Sequence, residues 1–150
     1  MQRPFEGKVA IVTGGNSGIG RATAVRFAEK GARVTIAARR ADEGRETEEI
    51  IREAGGEAIF VGTDVSQESQ IKAMVQKTVE KYGGLDYAFN NAGVPGTGAG
   101  TTITDATEEA WDWVIDVNLK GVWLSMKYEI PEMLKGGGGA IVNDSSVAGL

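Results

Sequence analysis

Two hydrophobic periods alternate along this chain. Short apolar, often β-branched runs of four to six residues stand at 9–13, 33–38, 57–61, 85–89 and 140–143. Between them lie longer stretches whose apolar residues recur at three- and four-residue spacing, which predicts amphipathic helices. In the first, Gly20, Ala24, Phe27 and Ala28 share a face and Gly31 supplies a left-handed stop. The second starts at Asp42, carries Thr47, Ile50, Ile51 and Ala54 as its stripe, and stops at Gly55-Gly56. In the third, Ser66 is the expected N-cap, ahead of Ile71, Met74, Val75, Thr78, Val79 and Tyr82. The fourth covers 107–135, with Trp111, Val114, Ile115, Leu119, Val122, Trp123 and Met126 on one broad apolar side and Pro131 marking its last turn. A flexible segment is expected over 94–100, where Pro and Gly cluster.

A β-α-β-α-β-α-β-α-β alternation with right-handed crossovers builds a Rossmann-like, doubly wound parallel α/β sheet. Five strands in the order 3-2-1-4-5, with helices on both faces, are expected in a single domain over 1–150. Ligands in such sheets sit beyond the carboxyl ends of the strands. Residues 13–20, 38–39, 64, 90–93 and 143–146 should therefore line one edge.

The most informative stretch is the run from Lys8 to Arg21, a strand that breaks into glycines at 14, 15, 18 and 20 before a helix begins. A helix start offers unpaired N–H groups and a positive dipole end, and glycines let a diphosphate reach the main chain. The spacing is G-x-x-x-G-x-G rather than G-x-G-x-x-G, and no Lys-Ser/Thr ending of a P-loop follows. Taken alone it fits a nucleotide cradle or an ordinary glycine-rich βα turn.

Composition narrows the chemistry. The 150 residues contain no Cys and no His, which excludes disulfides, Cys/His metal sites and a Ser-His-Asp triad within this chain; no metal is expected. The balance of 16 Lys+Arg against 21 Asp+Glu, with a formal charge of −5 and no long basic run, argues against nucleic acid as a partner. The start lacks the apolar core of a signal peptide, and no apolar run approaches the roughly 18 residues of a membrane span. A soluble, cytoplasmic protein is the expectation.

Several motifs, in order and spacing, carry a family resemblance. The stretch from Thr13 to Gly20, Asp64-Val65, Asn90-Asn-Ala-Gly93, Asn118 within Val-Asn-Leu-Lys-Gly, and Val142-Asn-Asp-Ser-Ser-Val-Ala-Gly149 resemble the short-chain dehydrogenase/reductase family over essentially the whole chain. The resemblance implies an NAD(P)-dependent oxidoreductase that moves a hydride between the nicotinamide and a secondary alcohol or carbonyl substrate. By it, Gly14, Asn16, Ser17, Gly18, Ile19 and Gly20 would meet the diphosphate and adenosine ribose. Asp64 would bond the adenine amino group and Val65 flank the ring, with Asn91, Ala92 and Gly93 beside the ribose. Capping near Ser66 is the competing role for Asp64, and Asn90 serves equally as a bridge between strands.

A carboxylate at the end of the second strand would bond the ribose 2′-hydroxyl of NAD and repel the 2′-phosphate of NADP. Here Ala38 stands where NAD-preferring members usually have Asp, followed by Arg39 and Arg40. The cofactor reading is therefore NADP through Arg39, with NAD the alternative and a solvated charge pair the competing role. The resemblance makes Ser146 the catalytic serine, with Ser145 as runner-up. It makes Asn118 the active-site asparagine, whose carbonyl helps hold a relay water and whose presence loosens the helix. Asp144 departs from the pattern and is expected either to face solvent or to have a raised pKa.

The family's general acid/base is a tyrosine with a lysine four residues later. The tyrosines here are 82, 87 and 128, followed at that spacing by Asp86, Asn91 and Glu132. The expectation is thus the cofactor-binding N-terminal portion of such an enzyme, inactive alone. A non-catalytic dinucleotide-binding module and a self-associating fragment are the alternatives. The long helix, which the family uses in a common dimer interface, makes a homo-oligomer the expected assembly.

Overall fold

The structure, a computed structural model, describes residues 3–96 and 102–147. Part of the expected flexible segment, from 97 onward, and Ala148 and Gly149 of the last motif lie outside the described residues. The strands are β1 (Val9–Thr13), β2 (Arg33–Ala38), β3 (Glu57–Gly62), β4 (Tyr87–Asn90) and β5 (Ala140–Asn143). They form one sheet in the order β3-β2-β1-β4-β5, and every neighbouring pair is parallel. The helices are α1 (Gly18–Glu29), α2 (Ala41–Glu53), α3 (Glu68–Tyr82), α4 (Glu108–Ile115) and α5 (Gly121–Lys135).

Strand periodicity divides the core into two layers. Ala10, Val12, Val34 and Ile36 face α1 and α2, where Ala24, Ala28 and Ile51 meet them. Val9, Ile11, Ala37 and Val61 face the other way, onto Ile71, Met74 and Val75 of α3 and Leu124 and Met133 of α5. Thr35, fully buried in that second layer, is matched by Thr78, whose Oγ1 lies 2.9 Å from the Thr35 Oγ1. The glycine stops act as expected, with Gly31 at φ +98° after α1 and Gly55 at φ +80° after α2.

Three expectations need correction. Along α2 the buried residues are Gly44, Thr47 and Ile51, while Ile50 and Ala54 are exposed. Gly44 is there because the Phe60 ring of β3 lies against it, where a Cβ would collide. Ser66 does not cap α3; the N-cap position is Gln67, and Ser66 instead gives both its N–H and its hydroxyl to Asp64.

The third correction concerns the long helix. It is not continuous: a π-helical turn over Asp116–Lys120 separates α4 from α5. Its sheet-facing side is Val117, Gly121, Leu124, Ser125, Glu129 and Met133, whereas Trp111, Leu119 and Trp123 of the expected apolar side are 63%, 63% and 55% exposed. Pro131 sits inside α5, one turn before its end.

Candidate active site

The parallel register brings the carboxyl ends of β1, β2, β3 and β4 to one edge, and a cleft of ≈ 310 Å³ opens there. Gly14, Asn16, Ser17, Gly18 and Ile19 line it from the loop after β1. Arg39 and Arg40 line it after β2, Thr63, Asp64 and Val65 after β3, and Asn91, Ala92, Gly93 and Val94 after β4. Gly20 is buried behind this wall: a Cβ there would collide with the Gly14 carbonyl oxygen, so the bare glycine lets α1 start against the loop.

The N-terminus of α1 is left open. Ser17 occupies the N-cap position in extended conformation but its side chain makes no cap bond, and no acidic residue lies in the first turn. The first-turn N–H groups and the positive dipole end therefore remain available to an anion. Gly14 and Gly18 adopt φ of +65° and +52°, and a Cβ on Gly18 would meet nothing within 4 Å. The approach to the main chain is clear at that point.

Hydrogen bonds fix the walls. The Thr13 hydroxyl accepts from the N–H groups of Asn91 and Ala92, both at 3.0 Å, and the Asn91 amide donates to the Thr13 carbonyl at 3.2 Å. Asp64 Oδ1 accepts from Ser66, which folds the turn after β3 while the Asp64 N–H bonds Gln70. Asn16 is buried and its Nδ2 donates to Glu43 Oε2 at 2.8 Å. Arg39 is exposed and makes no hydrogen bond or ion pair among the described residues.

A second cleft of ≈ 370 Å³ adjoins the first, since both are bounded by Asn91, Ala92, Gly93 and Val94. Asn118, Val122, Asp144, Ser145 and Ser146 complete it. Asn118 lies in the π-turn, a deviation that often marks functional helices. Its side chain clamps the segment after Gly93: Oδ1 accepts from the Val94 N–H at 2.8 Å, and Nδ2 donates to the Val94 carbonyl at 2.9 Å. Asp144 is exposed, so of its two expected placements it takes the one facing solvent, and its N–H donates to the Asn90 carbonyl.

Beneath this cleft Asn90 is a bridge between elements. Its buried Nδ2 donates to Glu129 Oε2 at 3.0 Å and to Asn143 Oδ1 at 3.1 Å. Glu129 is fully buried, and its Oε1 has no partner among the described residues. Burial pushes its carboxyl up to about 7, against the opposing effect of the Asn90 hydrogen bond.

The sequence reading missed Thr13 as a positioning residue, Arg40 and Glu43 as tied to the cleft, and Glu129 altogether. Thr13 had a usable signal, a hydroxyl at the last position of an otherwise apolar central strand. Glu129 had none, because a lone carboxylate in a helix pattern reads as solvated.

With this geometry established, comparison with known proteins decides the family. A family model described as short chain dehydrogenase matches residues 8–150. The chain belongs to the short chain dehydrogenase family. An uncharacterized oxidoreductase of Thermotoga maritima is 47% identical over 146 residues, which is 97% of this chain and 56% of the relative. Cyclohexanol dehydrogenase of Acinetobacter sp. (strain SE19) is 40% identical over 150 residues, 100% of this chain and 59% of the relative. A crystal structure of a 3-ketoacyl-ACP reductase from Sinorhizobium meliloti 1021 superposes with a TM-score of 0.91 at 42% identity, covering 94% of this chain and 55% of that one.

The chain thus spans little more than half the length of the short chain dehydrogenases it matches. The family implies a nicotinamide dinucleotide, and the first cleft fits one on its own features. The uncapped start of α1 and the glycine approach suit a diphosphate. Among the described residues no helix is long and apolar enough to cross a membrane, and no group of three or more His, Cys, Asp or Glu could hold a metal ion.

Proposed function

We propose that residues 1–150 form one NAD(P)-binding domain of an oxidoreductase that moves a hydride between a nicotinamide and a secondary alcohol or carbonyl carbon. The observation that carries this is the first cleft, where four strand ends converge on an uncapped helix start. The cofactor supplies the hydride chemistry when bound. The N–H groups of α1 and the loop around Gly14 and Gly18 hold the diphosphate, with Gly20 keeping that loop seated. Asn16, Ser17 and Ile19 border the ribose side, Asp64 and Val65 the adenine, and Asn91, Ala92 and Gly93 pass between the two clefts.

Arg39 favours NADP over NAD, because its guanidinium has no partner of its own among the described residues and suits a 2′-phosphate. In the second cleft Ser146 would bond the substrate oxygen, and Asn118 would present its π-turn carbonyl to a relay water. No tyrosine here is followed four residues later by lysine, so the family's tyrosine proton donor is not among these 150 residues. The chain alone is expected to bind cofactor without turnover. The test is a titration with NADPH and NADH beside a turnover assay on a panel of ketones. Stronger NADPH binding without turnover supports the reading, and binding of neither cofactor refutes it.

A second reading is self-association through the long helix, favoured by the exposure of Trp111, Leu119 and Trp123. A sedimentation run that gives only monomer at tens of micromolar would count against it.

A further inference from the structure

We propose that Glu43 sets how strongly this site discriminates a 2′-phosphorylated from an unphosphorylated adenosine, by withholding Arg40 from it. The inference rests on the dinucleotide reading above. Two guanidiniums, Arg39 and Arg40, border the cleft beyond β2. They are not equivalent. Arg40 Nη2 lies 2.9 Å from Glu43 Oε2 and donates to the Ser17 hydroxyl at 3.3 Å, so it is drawn against the glycine loop. Asn16 Nδ2 reaches the same Glu43 oxygen at 2.8 Å.

One carboxylate oxygen therefore ties two parts of the cleft wall together, and its own position is fixed. The Glu43 carbonyl accepts from Arg21 Nη2 at 3.3 Å and from the Thr47 hydroxyl at 3.1 Å, which anchors the first turn of α2. Glu43 acts against a 2′-phosphate by occupying the cation that could join Arg39. An unphosphorylated ribose does not feel this effect strongly.

Glu43→Gln separates charge from geometry. The amide oxygen can still accept from Asn16, while Arg40 loses its counter-ion and becomes free to turn toward a phosphate. Because the pair is partly solvated, with side-chain exposures of 63% for Arg40 and 38% for Glu43, the effect is moderate. The expected rise in the ratio of Kd for NAD to Kd for NADP is about fivefold.

The experiment is calorimetric titration of the 150-residue chain with NADP and with NAD, in the native sequence, in E43Q, and in E43Q combined with R40Q. The proposal expects the ratio to rise in E43Q and the gain to vanish when Arg40 is also replaced. A ratio within twofold of the native chain, or a fall, overturns it. A gain that survives in the double variant also overturns it, since the carboxylate would then act without Arg40. If the native chain binds neither cofactor, the dinucleotide reading itself fails and takes the proposal with it. Binding of both with an unmoved ratio refutes only the role of Glu43.

Discussion

Glu129 should make the stability of this chain fall as pH rises through neutrality. Its carboxyl is fully buried between α5 and the end of β4, accepts one hydrogen bond from Asn90, and has a second oxygen without a partner among the described residues. Burial raises its pKa from 4.5 to about 7. Between those values the folded chain keeps a proton that the unfolded chain has released, so unfolding becomes easier with each increment of pH. The contribution is intact below about pH 4.5 and gone above about pH 7, and the span corresponds to about 3 kcal/mol. For a chain of 150 residues that is roughly 6–12 °C in melting temperature. Glu68, lowered by Lys127 and the Tyr128 hydroxyl, shifts in the opposite direction, so its slope has the opposite sign and belongs to the acid side of this interval. Glu129→Gln removes the titration while keeping an acceptor for Asn90 and adding N–H donors. The assay is thermal unfolding by circular dichroism from about pH 5 to pH 8 at constant ionic strength. The native chain and the variant should melt within a few degrees of each other at the acid end, with the variant pulling ahead toward pH 8. Parallel curves across the range would refute the argument.

Other outcomes follow from single contacts. Gly20→Ala drives a Cβ into the Gly14 carbonyl, so urea unfolding should show a loss of about 3 kcal/mol, with cofactor binding lost in the same variant. Thr13→Val leaves the N–H groups of Asn91 and Ala92 without their acceptor; about 2 kcal/mol of stability should go, and hydrogen exchange at both amides should quicken. Asn118→Ala removes both bonds to Val94, and exchange at the Val94 amide should rise at least tenfold while the global melting temperature changes little. Arg39→Ala should weaken NADPH binding about tenfold and leave NADH binding within twofold, as measured by cofactor fluorescence.

The fold was legible because its signals are local and repeated. The apolar run at 9–13 needs burial on both faces, which only a central parallel strand provides, and β1 sits between β2 and β4. The glycines at 14, 18 and 20 then place the start of α1, and the parallel register carries four strand ends to one edge. Strand-end logic reached Ser146 but not Asn118, which only the family resemblance named; the two, 28 positions apart in the chain, line the same cleft.

What escaped the sequence was the face of the long helix, and the reason is physical. Counting apolar residues from Trp111 to Met126 assumes one unbroken α-helix. The π-turn at Asp116–Lys120 inserts a residue into that count, and one residue turns everything beyond it by about 100°. The side that meets the sheet also carries little apolar signal, because Gly121, Ser125 and Glu129 occupy it beside Leu124 and Met133. Gly121 is there for proximity, since a Cβ would lie 3.0 Å from the Val65 carbonyl oxygen, and Ser125 returns its hydroxyl to the Gly121 carbonyl. Gly121 lets the helix lie against the turn after β3, which forms one wall of the first cleft. A residue that makes this helix unreadable by periodicity is thus the one that seats it against the cleft. Sequence pattern reports burial by hydrophobicity, whereas this contact is built from close approach and one buried carboxyl.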